Sequence, residues 1–313
     1  MLVLKAPAGF RLRFDELAFA PGGDALAAAP SWGVTLWTSF ADGARAEAVP
    51  LGDGVASQRL AFAPDGRTLF AGSDLLLAVD LASRVIRRVP LDRWHRLGFG
   101  VSPDGARLIV SERLGGTVGG AEGTRLTCRP TDDLDRPTWQ LITRADVLLP
   151  PVFPPGSDRF VQLESTHELM AERWAPRVVV RTLDTGAVLT ETDLLPVPDY
   201  PDQAALSPDG LTLVVRLRDR IYANLIGAAG AAEVIANPSR KHFTGIAFHP
   251  SGRYLAATSN DKTVKLYDTT SWDLTRTFTW DIGRVRSVAF SPDGTLAAAG
   301  SDTGKVVVWD VDL

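Results

Sequence analysis

Cysteine is all but missing from this chain. Cys128 is the single one in 313 residues, so no disulfide can close within the chain and nothing demands an oxidising compartment. It reads as a small buried hydrophobe. Histidine is scarce as well: four are scattered along the chain, and with one cysteine they give none of the spacings of a metal site. His167-Glu168 lacks the second histidine that a zinc-hydrolase helix needs. Long apolar runs are absent, because no stretch reaches the ~18–20 residues of a membrane-spanning helix. The opening MLVLKAPAGF carries one early lysine and no apolar run of signal-peptide length. A soluble, cytoplasmic protein without membrane contact is expected. An excess of positive charge is also lacking. The net charge of −4 and pI near 5.6 argue against general nucleic-acid binding, which needs Lys and Arg to neutralise phosphates. Helical periodicity is missing over any useful length, except around His167 to Trp174.

What the chain does have is a large apolar fraction, 45% against 22% charged residues, which suits a globular fold with a sizeable core. It also has a recurring turn. FSPDGT around Pro292 follows the apolar residues Val288 and Phe290; its Pro presets φ, its Asp bonds its own backbone and its Gly takes the left-handed conformation. The same turn recurs as FAPGGD at Pro21, FAPDGR at Pro64, VSPDGA at Pro103, FPPGSD at Pro155, LSPDGL at Pro208 and FHPSGR at Pro250. The intervals between these prolines are 43, 39, 52, 53, 42 and 42 residues. Apart from two expanded units, that is the length of one four-stranded propeller blade, ~40–45 residues.

Each turn joins short apolar runs: LFAGS then LLLAVDL, LVVRL then IYANLI, YLAATS then VKLYD. A more polar fourth strand follows, as at Leu274 to Phe278, and is expected to lie outermost. Seven units of four strands leave the last unit one strand short, after Trp309-Asp310. The unassigned apolar segment is Leu2-Val3-Leu4. The N-terminus is therefore expected to supply the outer strand of the last blade, burying two apolar side chains and removing a free sheet edge. A single all-β domain over 1–313 follows: a seven-bladed β-propeller of four-stranded antiparallel blades.

With these repeats laid out, the sequence resembles the WD-repeat β-propeller family over essentially its whole length. The last unit, with SPDG, GSDTG and VVVWD ending in Trp309-Asp310, is the closest match, and the sixth carries Tyr267-Asp268 in that place. The first, second and fifth keep the turn and strand pattern, with Trp37, Val79-Asp80 and Asn224-Leu225 near the end of the third strand; the third and fourth diverge most. The family's side-chain network of His, Asp, Ser or Thr and Trp survives in the last unit only as Asp302 and Trp309, since Ala299 stands at the Ser position. The network is expected to be absent there, with stability coming from packing between blades.

In such a meander the loops entering each first strand share one face, the top, with the loops between second and third strands. Counting six residues back from each turn-preceding apolar residue gives Arg13, Ala56, His95, Tyr200, His242 and Arg284, with Trp94 beside His95. Arg13, Trp94, His95, Tyr200, His242 and Arg284 form a candidate rim suited to an acidic or peptide ligand, weighed against ordinary solvated loop residues. The third unit inserts a Gly-rich stretch, Leu114 to Gly120, which lacks the Gly-Lys-Ser/Thr of a phosphate loop. The fourth inserts His167 to Trp174, where Met170 and Trp174 stand at helical spacing. No nucleophile and base pair, metal set or cofactor site can be named. The expected function is a non-enzymatic protein or peptide interaction scaffold, monomeric alone. The alternative is a lactonase-like or other hydrolytic propeller with a site at its channel mouth.

Overall fold

A computed structural model describes residues 1–5, 13–29, 33–38, 45–49, 59–72, 75–91, 97–114, 123–147, 149–168, 173–194, 201–227 and 232–311. Every helix-or-strand element among them is a β-strand, and the strands form seven four-stranded antiparallel sheets. Each sheet is a meander in chain order, save one that takes its fourth strand from the N-terminus. The fold class is the seven-bladed β-propeller. Contacts divide the chain into two units, Met1–Arg88 with Arg218–Arg220 and Ala236–Leu313, and Val89–Leu217 with Ile221–Ile235.

The first unit holds four blades. Blade 7 comprises β26 (Val285–Phe290), β27 (Leu296–Ser301), β28 (Lys305–Asp310) and β1 (Leu2–Lys5). Blade 1 comprises β2 (Glu16–Phe19), β3 (Ala25–Ala29), β4 (Val34–Thr38) and β5 (Arg45–Val49). Blade 2 comprises β6 (Arg59–Phe62), β7 (Thr68–Gly72), β8 (Leu76–Asp80) and β9 (Ile86–Arg88). Blade 6 comprises β22 (Phe243–Phe248), β23 (Tyr254–Ser259), β24 (Thr263–Asp268) and β25 (Leu274–Thr279). Their first strands lie side by side in the order β22, β26, β2, β6.

Burial follows position within the blade. Second and third strands are apolar on both faces because a neighbouring sheet covers each side: every residue of β3 is buried, and β27 and β28 are buried at four or more positions. Such strands read as continuous apolar runs rather than as alternation. Small side chains let the sheets approach. Ala28 and Ala298 join Leu26, Trp37, Val306 and Val308 in one cluster between blades 7 and 1, where Phe14 meets Trp37 edge to face at 5.6 Å. Outer strands keep only an inner edge: β9 is exposed throughout, and β25 at all but one position.

The turns fix the register. Within Ser291-Pro292-Asp293-Gly294, Ser291 Oγ donates to Asp293 Oδ1 at 2.6 Å and the Gly294 N–H returns to the Ser291 carbonyl at 2.9 Å. Gly294 sits at φ 74°, and a Cβ there would meet His249 Nε2 at 2.6 Å. Both backbone conformation and space demand glycine.

The second unit holds three blades. Blade 3 comprises β10 (Leu97–Val101), β11 (Arg107–Leu114), β12 (Gly123–Pro130) and β13 (Trp139–Thr143). Blade 4 comprises β14 (Asp146–Val147), β15 (Arg159–Glu168), β16 (Arg173–Thr182) and β17 (Val188–Asp193). Blade 5 comprises β18 (Gln203–Leu206), β19 (Thr212–Leu217), β20 (Arg220–Leu225) and β21 (Glu233–Ala236). Part of the extra length of the expanded units goes into longer second and third strands, eight residues each in blade 3 and ten in blade 4, while Gly115 to Gly120 lie outside the described residues. This overturns the helical reading of His167 to Trp174. His167 pairs with Trp174 and Glu168 with Arg173 as the hairpin of β15 and β16 runs on, because ladder bonds propagate from Arg159–Thr182 outward and satisfy the backbone without a helix. Met170 lies outside the described residues. The first strand of blade 4 is reduced to β14 and a bridge between Val152 and Val161, since prolines at 150, 151, 154 and 155 cannot donate to a ladder.

Cys128 is fully buried, its thiol 3.8 Å from the Leu183 carbonyl, and burial pushes its pKa up to about 11. It packs as an apolar residue with Ile109 and Phe160. Deeper in blade 4, Arg181 and Glu164 form a buried ion pair at 2.8 Å.

The N-terminal strand completes blade 7 as expected: Leu2, Val3, Leu4 and Lys5 face Val308, Val307, Val306 and Lys305. One expectation needs correction, because only Leu4 is buried; Leu2, on the same face nearer the strand end, and Val3, on the opposite face, both stay exposed. The strand's stabilisation comes from the ladder, at ~1 kcal/mol per bond, plus one leucine worth ~1.5–3 kcal/mol. Deleting residues 1–5 is expected to lower the melting temperature by roughly 5–10 °C, whereas Val3→Thr, on the exposed face, should leave the melt within about 1–2 °C of wild type. Thermal denaturation of the two variants checks both outcomes.

Candidate functional site

Three of the rim residues fall within the described residues, all in the first unit. Arg13, His242 and Arg284 are each exposed, and each immediately precedes a residue with no exposure at all: Phe14, Phe243 and Val285. The buried residue is an anchor that turns its predecessor outward at the start of a first strand. Trp94, His95 and Tyr200 lie outside the described residues.

Hydrogen bonds make these anchors rigid. The Phe14 N–H donates to the Ser301 carbonyl at 3.1 Å, and the Phe14 carbonyl accepts from Ser287 Oγ at 2.9 Å. Blade 1 is thereby bolted to blade 7. The Phe243 N–H donates to the Arg218 carbonyl at 2.8 Å. Thr244 Oγ1 donates to the Val285 carbonyl at 2.7 Å, which ties blade 6 to blade 7. Thr244 and Arg286 are the extra residues of matching bulges, where the register of the first strand slips by one against the second. A bulge re-aims a side chain and interrupts pairing, so the same device sets the entrance of both blades.

Around Arg284 the second turn of blade 7 acts as a clamp. Asp302 Oδ1 accepts the Arg284 N–H at 3.0 Å, the Asp302 N–H donates to the Arg284 carbonyl at 2.9 Å, and Thr303 Oγ1 donates to the Ile282 carbonyl. Gly283, at φ 90°, lies so close that a Cβ would sit 2.5 Å from Thr303 and 2.7 Å from Asp302. Trp280 packs beside the clamp, its ring 4.6 Å from that of Trp309. Trp309 Nε1 is buried with no acceptor, consistent with the missing side-chain network: Asp302 serves the backbone of the entry loop instead.

Blade 6 repeats the arrangement with different groups. The Asn260 N–H donates to the His242 carbonyl at 3.0 Å, and Asn237 Nδ2 reaches both Ser259 Oγ at 2.8 Å and the Lys241 carbonyl at 2.7 Å. Next in the turn, Asp261 pairs with buried Lys265. Burial pushes the Asp261 carboxyl up, but hydrogen bonds from Lys265, Ser239 and Thr263 and the lysine charge hold it well below the usual carboxylate range.

Arg286, which sequence counting misses, completes the entrance of blade 7. Its Nη2 stands 4.0 Å from Asp302 Oδ2, and its Nε is buried with no acceptor. Burial and the charge of Arg13 pull its guanidinium below the ordinary arginine value, with Arg284 adding to this against the opposing pull of Asp302 and Asp15. The signal in the sequence is Arg284-Val285-Arg286. Alternation places the two arginines on one face, but only the bulge makes them converge.

No group of three or more His, Cys, Asp or Glu among the described residues is placed to hold a metal ion. Among the described residues one serine–histidine contact is formed, His249 Nδ1 to Ser251 Oγ at 2.7 Å, and it is a turn device. The Ser251 N–H donates to the same Nδ1 at 3.1 Å, which leaves Nε2 to donate to the Gly294 carbonyl at 3.0 Å, linking the turns of blades 6 and 7 at the other end of the strands. In the second unit an apolar hollow lined by Leu163, Pro176, Leu194, Val215, Leu217 and Tyr222 offers no reactive group.

Seven four-stranded meanders define a β-propeller, and within that class the family described as WD domain, G-beta repeat matches residues 237–268 and 272–310, the region of blades 6 and 7. Similar proteins include Protein HIR1 of Mycosarcoma maydis, 42% identical over 74 residues, covering 21% of this chain and 7% of that protein. Probable cytosolic iron-sulfur protein assembly protein 1 of Yarrowia lipolytica is 44% identical over 64 residues, 20% of this chain and 19% of its own length. WD repeat-containing protein VIP3 of Arabidopsis thaliana is 31% identical over 181 residues, 48% of this chain and 56% of its own. The chain thus spans less than two thirds of each of these relatives. The fold is that of a β-propeller, and two of its repeats, those of blades 6 and 7, match the WD-repeat family.

Two outcomes follow for the clamps. Asp302→Ala should destabilise the fold by ~1–2 kcal/mol and raise hydrogen exchange at the Arg284 amide more than at the Val288 amide. Asp261 has a folded pKa below its unfolded value of ~3.9, so its contribution is present above about pH 4 and lost as pH falls towards the folded value. Between pH 6 and pH 3 the urea midpoint of wild type should therefore fall more than that of Asp261→Asn.

Proposed function

We propose that this protein is a non-enzymatic interaction scaffold that binds a protein or peptide partner, acidic in the segment it presents, at the strand-entry loops. The observation that carries this reading is the repeated placement of Arg13, His242 and Arg284, each exposed and each backed by a fully buried anchor in three neighbouring blades. A rigid frame with outward basic side chains presents complementary potential to an acidic segment and speeds its encounter. The equivalent sequence positions Trp94-His95 and Tyr200 are assigned the same role. Function resides in loops on a scaffold whose strands supply no chemistry of their own. A protein-binding role agrees with the assembly function in the printed name of the Yarrowia relative, whose cytosolic location also supports a cytoplasmic one here.

The test compares affinity capture by wild type with that by Arg13→Ala/His242→Ala/Arg284→Ala, after equal melting curves establish that both are folded. The variant should lose at least one partner that wild type retains at moderate salt. Equal recovery of every partner overturns the assignment of the rim, and turnover of a lactone with a bound divalent metal overturns the scaffold reading.

A further inference from the structure

At the junction of blades 7 and 1, three arginines meet two carboxylates. The two bonds that hold Phe14 between Ser287 and Ser301 bring Arg13 and Asp15 beside Arg286 and Asp302. The carboxylates are already engaged. Asp15 Oδ1 accepts from Arg13 Nε at 2.6 Å, and Asp302 Oδ1 holds the Arg284 amide while its other oxygen stays 4.0 Å from Arg286, beyond hydrogen-bond range. Arg286 Nε has no acceptor, and Arg284 is exposed with no side-chain acceptor among the described residues. Three guanidinium charges against two carboxylates leave the junction a surplus of positive charge, and exposed Arg284 keeps a full set of planar donors at its surface.

We propose that Arg13, Arg284 and Arg286 hold the phosphoryl group of a phosphorylated serine or threonine on a protein partner. This rests on the reading of the entry loops as the partner-binding surface. Three guanidinium groups stand against two carboxylates, and one further carboxylate brings a single charge and two oxygens. A phosphoryl group brings a charge of about −1.5 to −2 and three acceptor oxygens, which suits three guanidinium forks. All three cations are arginine, the residue fitted to planar, bidentate recognition of phosphate. A protein is favoured over a nucleic acid as the bearer of that phosphate. Asp15, Asp281 and Asp302 interrupt any continuous basic track, and the chain is acidic overall, whereas a phosphodiester backbone is held by many cations in succession.

The experiment uses the full chain and degenerate peptide libraries fixed at a central phosphoserine, serine or aspartate, measured on wild type, R13Q, R284Q, R286Q and R286K. Wild type should retain the phosphoserine library at least 10-fold over the serine and aspartate libraries. R284Q and R286Q should each reduce that preference at least 5-fold, with R286K intermediate. Arg284 is exposed, so R284Q keeps the test decisive even where R286Q fails to fold. Equal retention of the three libraries by wild type, or an unchanged preference in both R284Q and R13Q, overturns the site; so does a single-stranded oligonucleotide that displaces the phosphopeptides at equal concentration. A partner that the triple alanine variant loses, but that wild type still captures after phosphatase treatment, overturns the phosphate assignment and leaves the rim reading standing. A partner lost on phosphatase treatment of the wild-type sample supports both.

Discussion

The second and third strands of a blade carry apolar side chains on both faces, and a sheet of that kind has no stable existence in water by itself. Each must be covered by a neighbour, as β3 and β27 are within the first unit, where alanine-rich strands admit the large rings of Phe14 and Trp37 between them. This mutual covering is the constraint on which the other features depend. It fixes the spacing between sheets, and it explains why repeats whose residues differ widely, such as the Trp309 and Asn224 strands, adopt the same meander. Each blade needs only apolar volume of the right amount, and the particular side chains are free to vary.

The entrance to the first strands inherits its order from that packing. Phe14, Phe243 and Val285 are drawn inward by burial, and the residues before them have no direction left but outward. Polar groups then lock the backbone from the adjacent blade, Ser287 of blade 7 for Phe14 of blade 1 and Thr244 of blade 6 for Val285 of blade 7. Side chains held by bonds between sheets are better ordered than those on a free loop, and a binding surface built from them loses less entropy on meeting a partner. The cost lies in Arg286, a half-buried cation whose Nε finds no acceptor.

Most of the fold was legible because turn chemistry is local. Pro-Asp-Gly and Ser-Asp-Thr-Gly dictate their own conformation, and their spacing sets the number of blades. The missing strand could be found by counting, since Leu2 to Leu4 was the apolar segment left over. Its energetics could not, because which face of an outermost strand is covered depends on the neighbouring sheet. The strand pairing of 167–168 with 173–174 was hidden for a related reason: Met170 and Trp174 stand four apart, as in a helix, while the ladder that continues from Arg159 is a long-range fact. Arg13, His242 and Arg284 emerged from the repeat phase alone. Arg286 did not, because a bulge leaves no mark in an alternating pattern.

The pairing of residues 2–5 with residues 305–308 also bears on how the chain is made. During synthesis β1 emerges before every other strand described and β28 after them, so the first strand waits for its partner while the strands between them are made. Blade 7 can therefore be sealed only once β28 is available, by a contact of very long sequence separation, and that search is intrinsically slow. Until that contact forms, Leu2 to Leu4 and Val306 to Val308 are each an unpaired edge open to the wrong partner.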